Sequence, residues 1–425
     1  MSREALLQYI WKNRIMDRHP LVTTCGKQLT ILSAGDQNVD AGPDFFNAKI
    51  TIGTITWSGN VEVHNRASDW DRHGHHLDPA YDNVILHVVA KEERSVFNSH
   101  GRKIQTLVFE YPLPLFNVYR TLQLEESWLP CHSYIHQTPK TVIRHWLTIL
   151  QGERLRQKTL ITEHLIDRHG LSWDASLYRI LASGFGLPIN SLPFEMTTAA
   201  TPYELLLRYR DNPDDLEAIL FGRAGFLQRQ SGSGPYRSGL CRRYREYAAN
   251  LPGEDVSRHL WKFLRLRPAS FPTLRIAQFA SLVHLRFPLL DPILESTSVT
   301  PVEQLFRVRA SEYWNTHYMF DKCSPESPKY PGHQFIRTLM INAVVPFLFA
   351  MGRRKNHIRA IDLGTSLIQE MEAESNQIIK RWSEFGITPE GAFESQALIH
   401  LHNVYCKQKR CLDCLIGRDF IKRIT

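Results

Sequence analysis

Residues 40–64 decide the fold. They run Asp40-Ala41-Gly42-Pro43-Asp44-Phe45-Phe46-Asn47-Ala48-Lys49-Ile50, through Thr51-Ile52-Gly53-Thr54-Ile55, to Gly59-Asn60-Val61-Glu62-Val63-His64. β-Branched and aromatic residues on both sides of Gly53-Thr54 predict antiparallel strands over 44–52 and 54–65, joined by a tight turn. Period-two alternation places Asn60, Glu62, His64 and Arg66 on one face of the second strand and Val61 and Val63 on the other. Asp44 then opens one strand and Glu62 lies within the next, so the two carboxylates can meet. By the same alternation Lys49, five residues from Asp44, falls on the opposite face unless a bulge intervenes.

Working outward, similar runs predict strands at 28–33, 83–90 and 104–110, and the apolar spacing of residues 3–11 predicts a leading helix with Ser2 as N-cap. Prolines interrupt the pattern at Tyr111-Pro112-Leu113-Pro114 and Trp128-Leu129-Pro130. Beyond them Thr138-Pro139 and Asn212-Pro213 read as helix starts. The expected class is α+β: an N-terminal mixed β-sheet domain with a leading helix over 1–130, a larger, mainly α-helical domain over 131–390, and a cysteine-containing tail over 391–425. Gln230-Ser231-Gly232-Ser233-Gly234-Pro235 is the most linker-like run.

With 425 residues and 43% hydrophobic content the chain can build real cores. The longest apolar stretch, Leu339–Met351, is broken by Asn342 and Pro346, so a core helix is expected there and no membrane partner. Charges scattered through the first 20 residues argue against a cleaved secretory signal, and seven sparse cysteines point to the cytoplasm. No Walker A string, glycine-rich nucleotide fingerprint or Gly-x-Ser-x-Gly elbow is present.

The net charge of +8 is concentrated in one stretch, because Arg223–Arg275 holds 11 basic residues against 3 acidic ones. Arginines there alternate with aromatics, a composition that pairs with phosphates and stacks on bases. Arg237, Arg242, Arg243, Arg245, Lys262, Arg265, Arg267 and Arg275 are the candidate contacts to DNA or RNA; a solvated basic face is the plainer use of them. Asp36–Asp82 is the opposite, with eight carboxylates, three basic residues and four histidines. Carboxylates with imidazoles are ligand types for Mg, Mn or Zn. His75, His76, Asp78 and Asp82 either extend such a site or serve turns and caps.

Pro43-Asp44 followed by Glu62-Val63-His64, on strands behind a leading helix, resembles the PD-(D/E)XK nuclease superfamily. The resemblance implies a restriction-endonuclease-like domain and a metal-dependent hydrolase cutting nucleic-acid phosphodiesters, with Asp44 and Glu62 holding Mg or Mn and His64 orienting water. His64 stands where that superfamily usually carries lysine. The alternative is therefore an inactive nucleic-acid-binding protein that keeps the fold. Over nearly the whole chain, strings such as Asn38-Val39-Asp40-Ala41-Gly42-Pro43-Asp44, Asp78-Pro79-Ala80-Tyr81-Asp82-Asn83 and Phe271-Pro272-Thr273-Leu274-Arg275 resemble an uncharacterised bacterial family, domain of unknown function 2851. It implies no activity.

The tail carries His402-x3-Cys406-x4-Cys411-x2-Cys414. Three cysteines within nine residues of a cytoplasmic chain point to zinc or an iron–sulfur cluster. A closed site needs a fourth ligand, either His402 or Cys131. Some nucleases of the superfamily carry an iron–sulfur staple with one early and three late cysteines. Cys25, Cys241 and Cys323 have no such neighbours and read as structural.

Overall fold

The computed structural model describes residues 3–15, 20–38, 40–109, 113–170, 172–228 and 234–423. Two compact units emerge: residues 1–146 together with 401–425, and residues 147–400. The expected breaks near 130 and 391 therefore move. The first falls inside helix Lys140–His169, which continues through the boundary, and the end of the tail packs into the N-terminal unit instead of standing alone.

The first unit opens with α1 (Arg3–Lys12) and a mixed sheet of β1 (Leu21–Val22), β2 (Gln28–Ser33), β3 (Asp36–Gln37), β4 (Phe45–Ile52), β5 (Ile55–Arg66), β6 (Val84–Lys91) and β7 (Thr106–Val108). Their order is β1-β2-β4-β5-β6-β7, with β3 beside β4. The β4–β5 hairpin turns at Gly53, whose φ of 62° suits glycine, and pairs Ile52 with Ile55. After β5 the chain crosses over and returns as β6, parallel to β5. That crossover is short: α2 (Asp69–Arg72) and two 3-10 turns, His75–Leu77 and Pro79–Tyr81. Gly59 is required where β6 begins, because a Cβ there would stand 2.6 Å from the Asn83 carbonyl.

Alternation along β5 sorts the two faces of the sheet. Val61 and Val63, with Leu86 and Val88 of β6, pack beneath Leu6, Leu7, Ile10 and Trp11 of α1 in an apolar core. Glu62, His64 and His87 take the opposite face, covered by the crossover through Trp70 and Tyr81. A bulge does intervene in β4: Phe45 pairs with Val61 but Ala48 with Gly59, and Asn47 absorbs the extra residue at φ 56°. Lys49 consequently points away from the core, opposite Ser58, four residues and about 13 Å along β5 from Glu62.

The second unit is helical apart from a small hairpin, His317–Met319 with Lys322–Cys323. Tyr178, Phe185, Phe221, Phe279 and Trp314 lie in its core. His333–Lys355 forms a helix of 23 residues, long and apolar enough by composition to cross a membrane, with 78% of its most apolar window buried in the protein. A π-helical turn at Met340–Val344 contains Asn342, Pro346 falls in the first turn of the segment after it, and polar or charged His333, Gln334, Arg337, Arg353, Arg354 and Lys355 at the helix ends leave the apolar run in the sequence shorter than the helix. The linker-like run at 230–233 lies outside the described residues.

Candidate functional site

Asp44 and Glu62 meet. The backbone N–H of Asp44 donates to Glu62 Oε2 at 3.0 Å, and Asp44 Oδ2 accepts the Val63 N–H at 3.0 Å. Gln8 of α1 donates to Asp44 Oδ1 at 2.8 Å. Among the described residues no lysine or arginine ion-pairs with either carboxylate. Burial, and then the charge of Glu62, push the Asp44 carboxyl up to about 7. Glu4, on the same helix as Gln8, is also raised, first by burial and then by Glu62.

The other oxygen of Glu62 faces imidazoles. Glu62 Oε1 is 3.3 Å from His64 Nε2 and 3.3 Å from His75 Nε2. His64 Nε2 is also 3.2 Å from His73 Nδ1, and its Nδ1 meets His87 Nε2 at 2.9 Å. His64, His73 and His75 each offer a ligand atom, all within 4.8 Å of one another, with His64 and His75 buried and His73 exposed. Burial pushes the His64 and His87 imidazoles down to about 2 and about 3, so both are neutral at ordinary pH. With 1% exposure and both ring nitrogens facing side chains, His64 is not the free water-orienting group expected from its position in Glu62-Val63-His64.

The other candidates of the acidic stretch separate. His75 joins the cluster and stacks on Tyr81 at 3.8 Å. His76 pairs with Asp71 at 3.3 Å, Asp78 caps the 3-10 turn through the Ala80 N–H, and Asp82 holds Ser99 and His100. Gln8, His73 and His87 were missed. The available signal for His87 was a lone histidine in the apolar run Val84–Val89; it pairs in register with Glu62.

Beside Gln8 lies a cleft of about 330 Å³, bordered by Lys12, Lys409, Arg410 and Arg418, with Asp413 its one acidic residue. Lys12 donates to Gln37 at 2.9 Å and Lys409 to the Gln123 carbonyl at 2.6 Å, so neutral acceptors hold two of these cations without cancelling their charge.

In the same unit Cys131, Cys406, Cys411 and Cys414 line one small apolar pocket with Pro130, Tyr405 and Gly417. Burial raises all four thiols, and neighbouring thiols add to the rise for Cys131, Cys406 and Cys411, the last reaching about 12. Backbone N–H groups of Ile416 and Gly417 point at Cys414, and a Cβ on Gly417 would lie 2.2 Å from the Cys411 carbonyl. His402 is elsewhere, stacked on Trp128 at 4.2 Å. The structure therefore brings Cys131, and not His402, to the three tail cysteines. Cys25 and Cys323 are exposed, contrary to a structural role, and Cys241 donates to the Leu227 carbonyl.

The basic belt of the second unit is thinner than its sequence. Arg275 is buried with Gln278 and Phe335, Arg237 donates to the Phe226 carbonyl, and Arg243 pairs with Asp214 and Asp215. The interleaved aromatics Tyr244 and Trp261 are core residues and offer no stacking surface. Arg242, Arg245, Lys262, Arg265 and Arg267 are exposed.

No protein with a curated description and no solved structure matches the chain. A family model described as Protein of unknown function (DUF2851) matches residues 4–377, most of the length, and the chain belongs to that family.

Proposed function

We propose that the first unit is a metal-dependent phosphodiesterase acting on nucleic acid. The observation that carries this reading is the meeting of two carboxylates, half-buried Asp44 and buried Glu62, joined through Gln8 to a cleft bordered by Lys12, Lys409, Arg410 and Arg418. The donor set fits a divalent ion: neither carboxylate is paired with a lysine or arginine among the described residues, and Asp44, raised first by burial and then by Glu62, would regain its charge beside a cation. Such an ion, Mg or Mn, neutralises a phosphodiester and makes water easier to deprotonate. Asp44 would share in holding that ion, kept in place by Gln8 and the Val63 N–H. Glu62 anchors the cation side, His64 supports Glu62 from below, and the cleft cations hold the flanking phosphates. The alternative, an inactive binding protein on a nuclease-like fold, is favoured by one observation: no lysine stands in the place after Glu62, and Lys49 lies about 13 Å away along the strand.

The cysteines fit a second, structural cofactor. Four thiols buried against one another are stable as a set when a metal takes their protons. Thiolates on one zinc, with bonds near 2.3 Å, stand about 3.8 Å apart. The set suits either zinc or an iron–sulfur cluster.

The test is cleavage of single- and double-stranded DNA and RNA by the purified chain with Mn. Cutting that disappears in Asp44→Ala with Glu62→Ala supports the enzyme. Binding without cutting, or cutting that survives both substitutions, overturns it.

A further inference from the structure

We infer that His64, His73 and His75, with Oε1 of Glu62, form a site for one first-row transition-metal ion of the zinc class. The three imidazoles come from different elements, β5 and the two ends of a tight turn, yet their ligand atoms converge within 4.8 Å. The three closest spacings are 3.2 Å, His64 Nε2 to His73 Nδ1, and 3.3 Å from Glu62 Oε1 to each of His64 Nε2 and His75 Nε2. A tetrahedron with metal–nitrogen bonds of about 2.0–2.1 Å has edges of about 3.3–3.4 Å, so these contacts have the spacing of donors around one ion.

Two features separate this cluster from packed core histidines. Behind His64 stands His87, 0% exposed, 2.9 Å from its Nδ1, which fixes the nitrogen that faces the cluster. On the other side His73 is exposed, giving an ion both an entry path and a solvent-facing position. Imidazole-rich sets select zinc, iron, nickel or copper over magnesium, so the ion differs in class from one bound by carboxylates alone. Asp44 lies outside the ligand set, its two oxygens held by Gln8 and the Val63 N–H. The inference does not need phosphodiester cleavage, because the ion binds whether or not a substrate is cut.

Cobalt(II) is the probe, titrated into the metal-stripped full chain and followed by visible absorption and by equilibrium dialysis. The expected result is one equivalent with ligand-field bands but without thiolate charge transfer, over and above any cobalt held by the cysteines, weakened about tenfold or more in His73→Ala and unchanged in His76→Ala, whose imidazole pairs with Asp71 outside the cluster. His73 is exposed, so its truncation leaves the fold intact, and a circular-dichroism melt checks this. His75→Asn, which keeps a polar planar group against Tyr81, is the second variant. Equal cobalt affinity in the parent, His73→Ala and His75→Asn, or a parent whose bound cobalt is all thiolate-ligated, overturns the site. Cobalt binding with no nuclease activity sinks the phosphodiesterase reading alone; Mg-driven cutting without histidine-bound cobalt sinks this one alone.

Discussion

Two clusters of metal-type donors lie in the same unit and differ in how they meet solvent. The cysteine pocket is closed: Cys406, Cys411 and Cys414 are buried, apolar groups line it, and charged groups take no part beyond Arg410 at its edge. The histidine pocket is open on one side, at exposed His73, and shares Glu62 with a second carboxylate of perturbed protonation. Donor sets walled off from solvent suit a structural ion, and a set with a solvent-exposed ligand, such as His73, suits an ion that can exchange or meet a substrate. On the readings proposed above the cysteines serve stability and the histidine–carboxylate pocket serves function, although both read in sequence as clusters of ligand residues.

The largest expected effect breaks that contrast if it fails. Cys411→Ser with Cys414→Ser should cost the chain about 4 kcal/mol or more, because removing a structural metal is among the few changes of that size. His73→Ala should leave the unfolding midpoint nearly unchanged, since an exposed imidazole supports little of the fold. Denaturant melts of both variants read this directly. An unmoved cysteine variant would make those residues ordinary buried thiols, and an anaerobic visible spectrum separates a brown cluster from colourless zinc.

Much of this was legible in the chain. Alternation around Gly53-Thr54 located the hairpin, the polar face of β5 and the convergence of Asp44 with Glu62, because a two-residue period leaves each side chain one choice of face. The β4 bulge was not legible, since a left-handed Asn47 is stabilised by its surroundings and not by its own preference. His73 was missed because its place in the cluster depends on a crossover folding back over the sheet. Tail spacing identified three cysteines, but the choice between Cys131 and His402 belongs to tertiary structure. The belt misled most: sequence counts charges without showing that Arg237, Arg243 and Arg275 are already engaged inside the unit.

A smaller effect sharpens the comparison through pH, in the chelated protein. His64 and His87 are depressed from 6.5 to about 2 and about 3, so their stability is present above 6.5 and lost as pH falls, when the unfolded chain takes up two protons that the fold refuses. Asp44, raised from 3.8 to about 7, works in the opposite direction, since the fold holds a proton that the unfolded chain has released. Between about pH 4 and 6.5 the balance is one proton, and stability should fall by about 1.4 kcal/mol per pH unit on acidification. His87→Gln removes one of the two histidines and should flatten the slope over that window. A parent whose stability is level from pH 6.5 to 4 would mean these imidazoles are charged in the fold, and so not poised as neutral donors.

The smallest effect asks whether the closed site also serves the open one. Lys409, Arg410 and Arg418 border the cleft near Asp44, and their segment is the one tied down by Cys406, Cys411 and Cys414. If the cysteine pocket positions those cations, the cleft should dominate salt-dependent binding to nucleic acid, because each phosphate contact contributes about 0.7–0.9 to the slope of log K against log salt. Lys409→Glu with Arg418→Glu, two cations held by neutral acceptors, should lower that slope by about 1 to 2, with Arg410 left in place because it pairs with Asp413. Charge reversal of the exposed belt residues Arg242 and Arg245 is the control, with Arg243 left in place because Asp214 and Asp215 occupy it. A slope that responds to the belt pair and ignores the cleft pair would transfer the binding surface to the second unit. The cysteine pocket would then be a staple for the fold and nothing more.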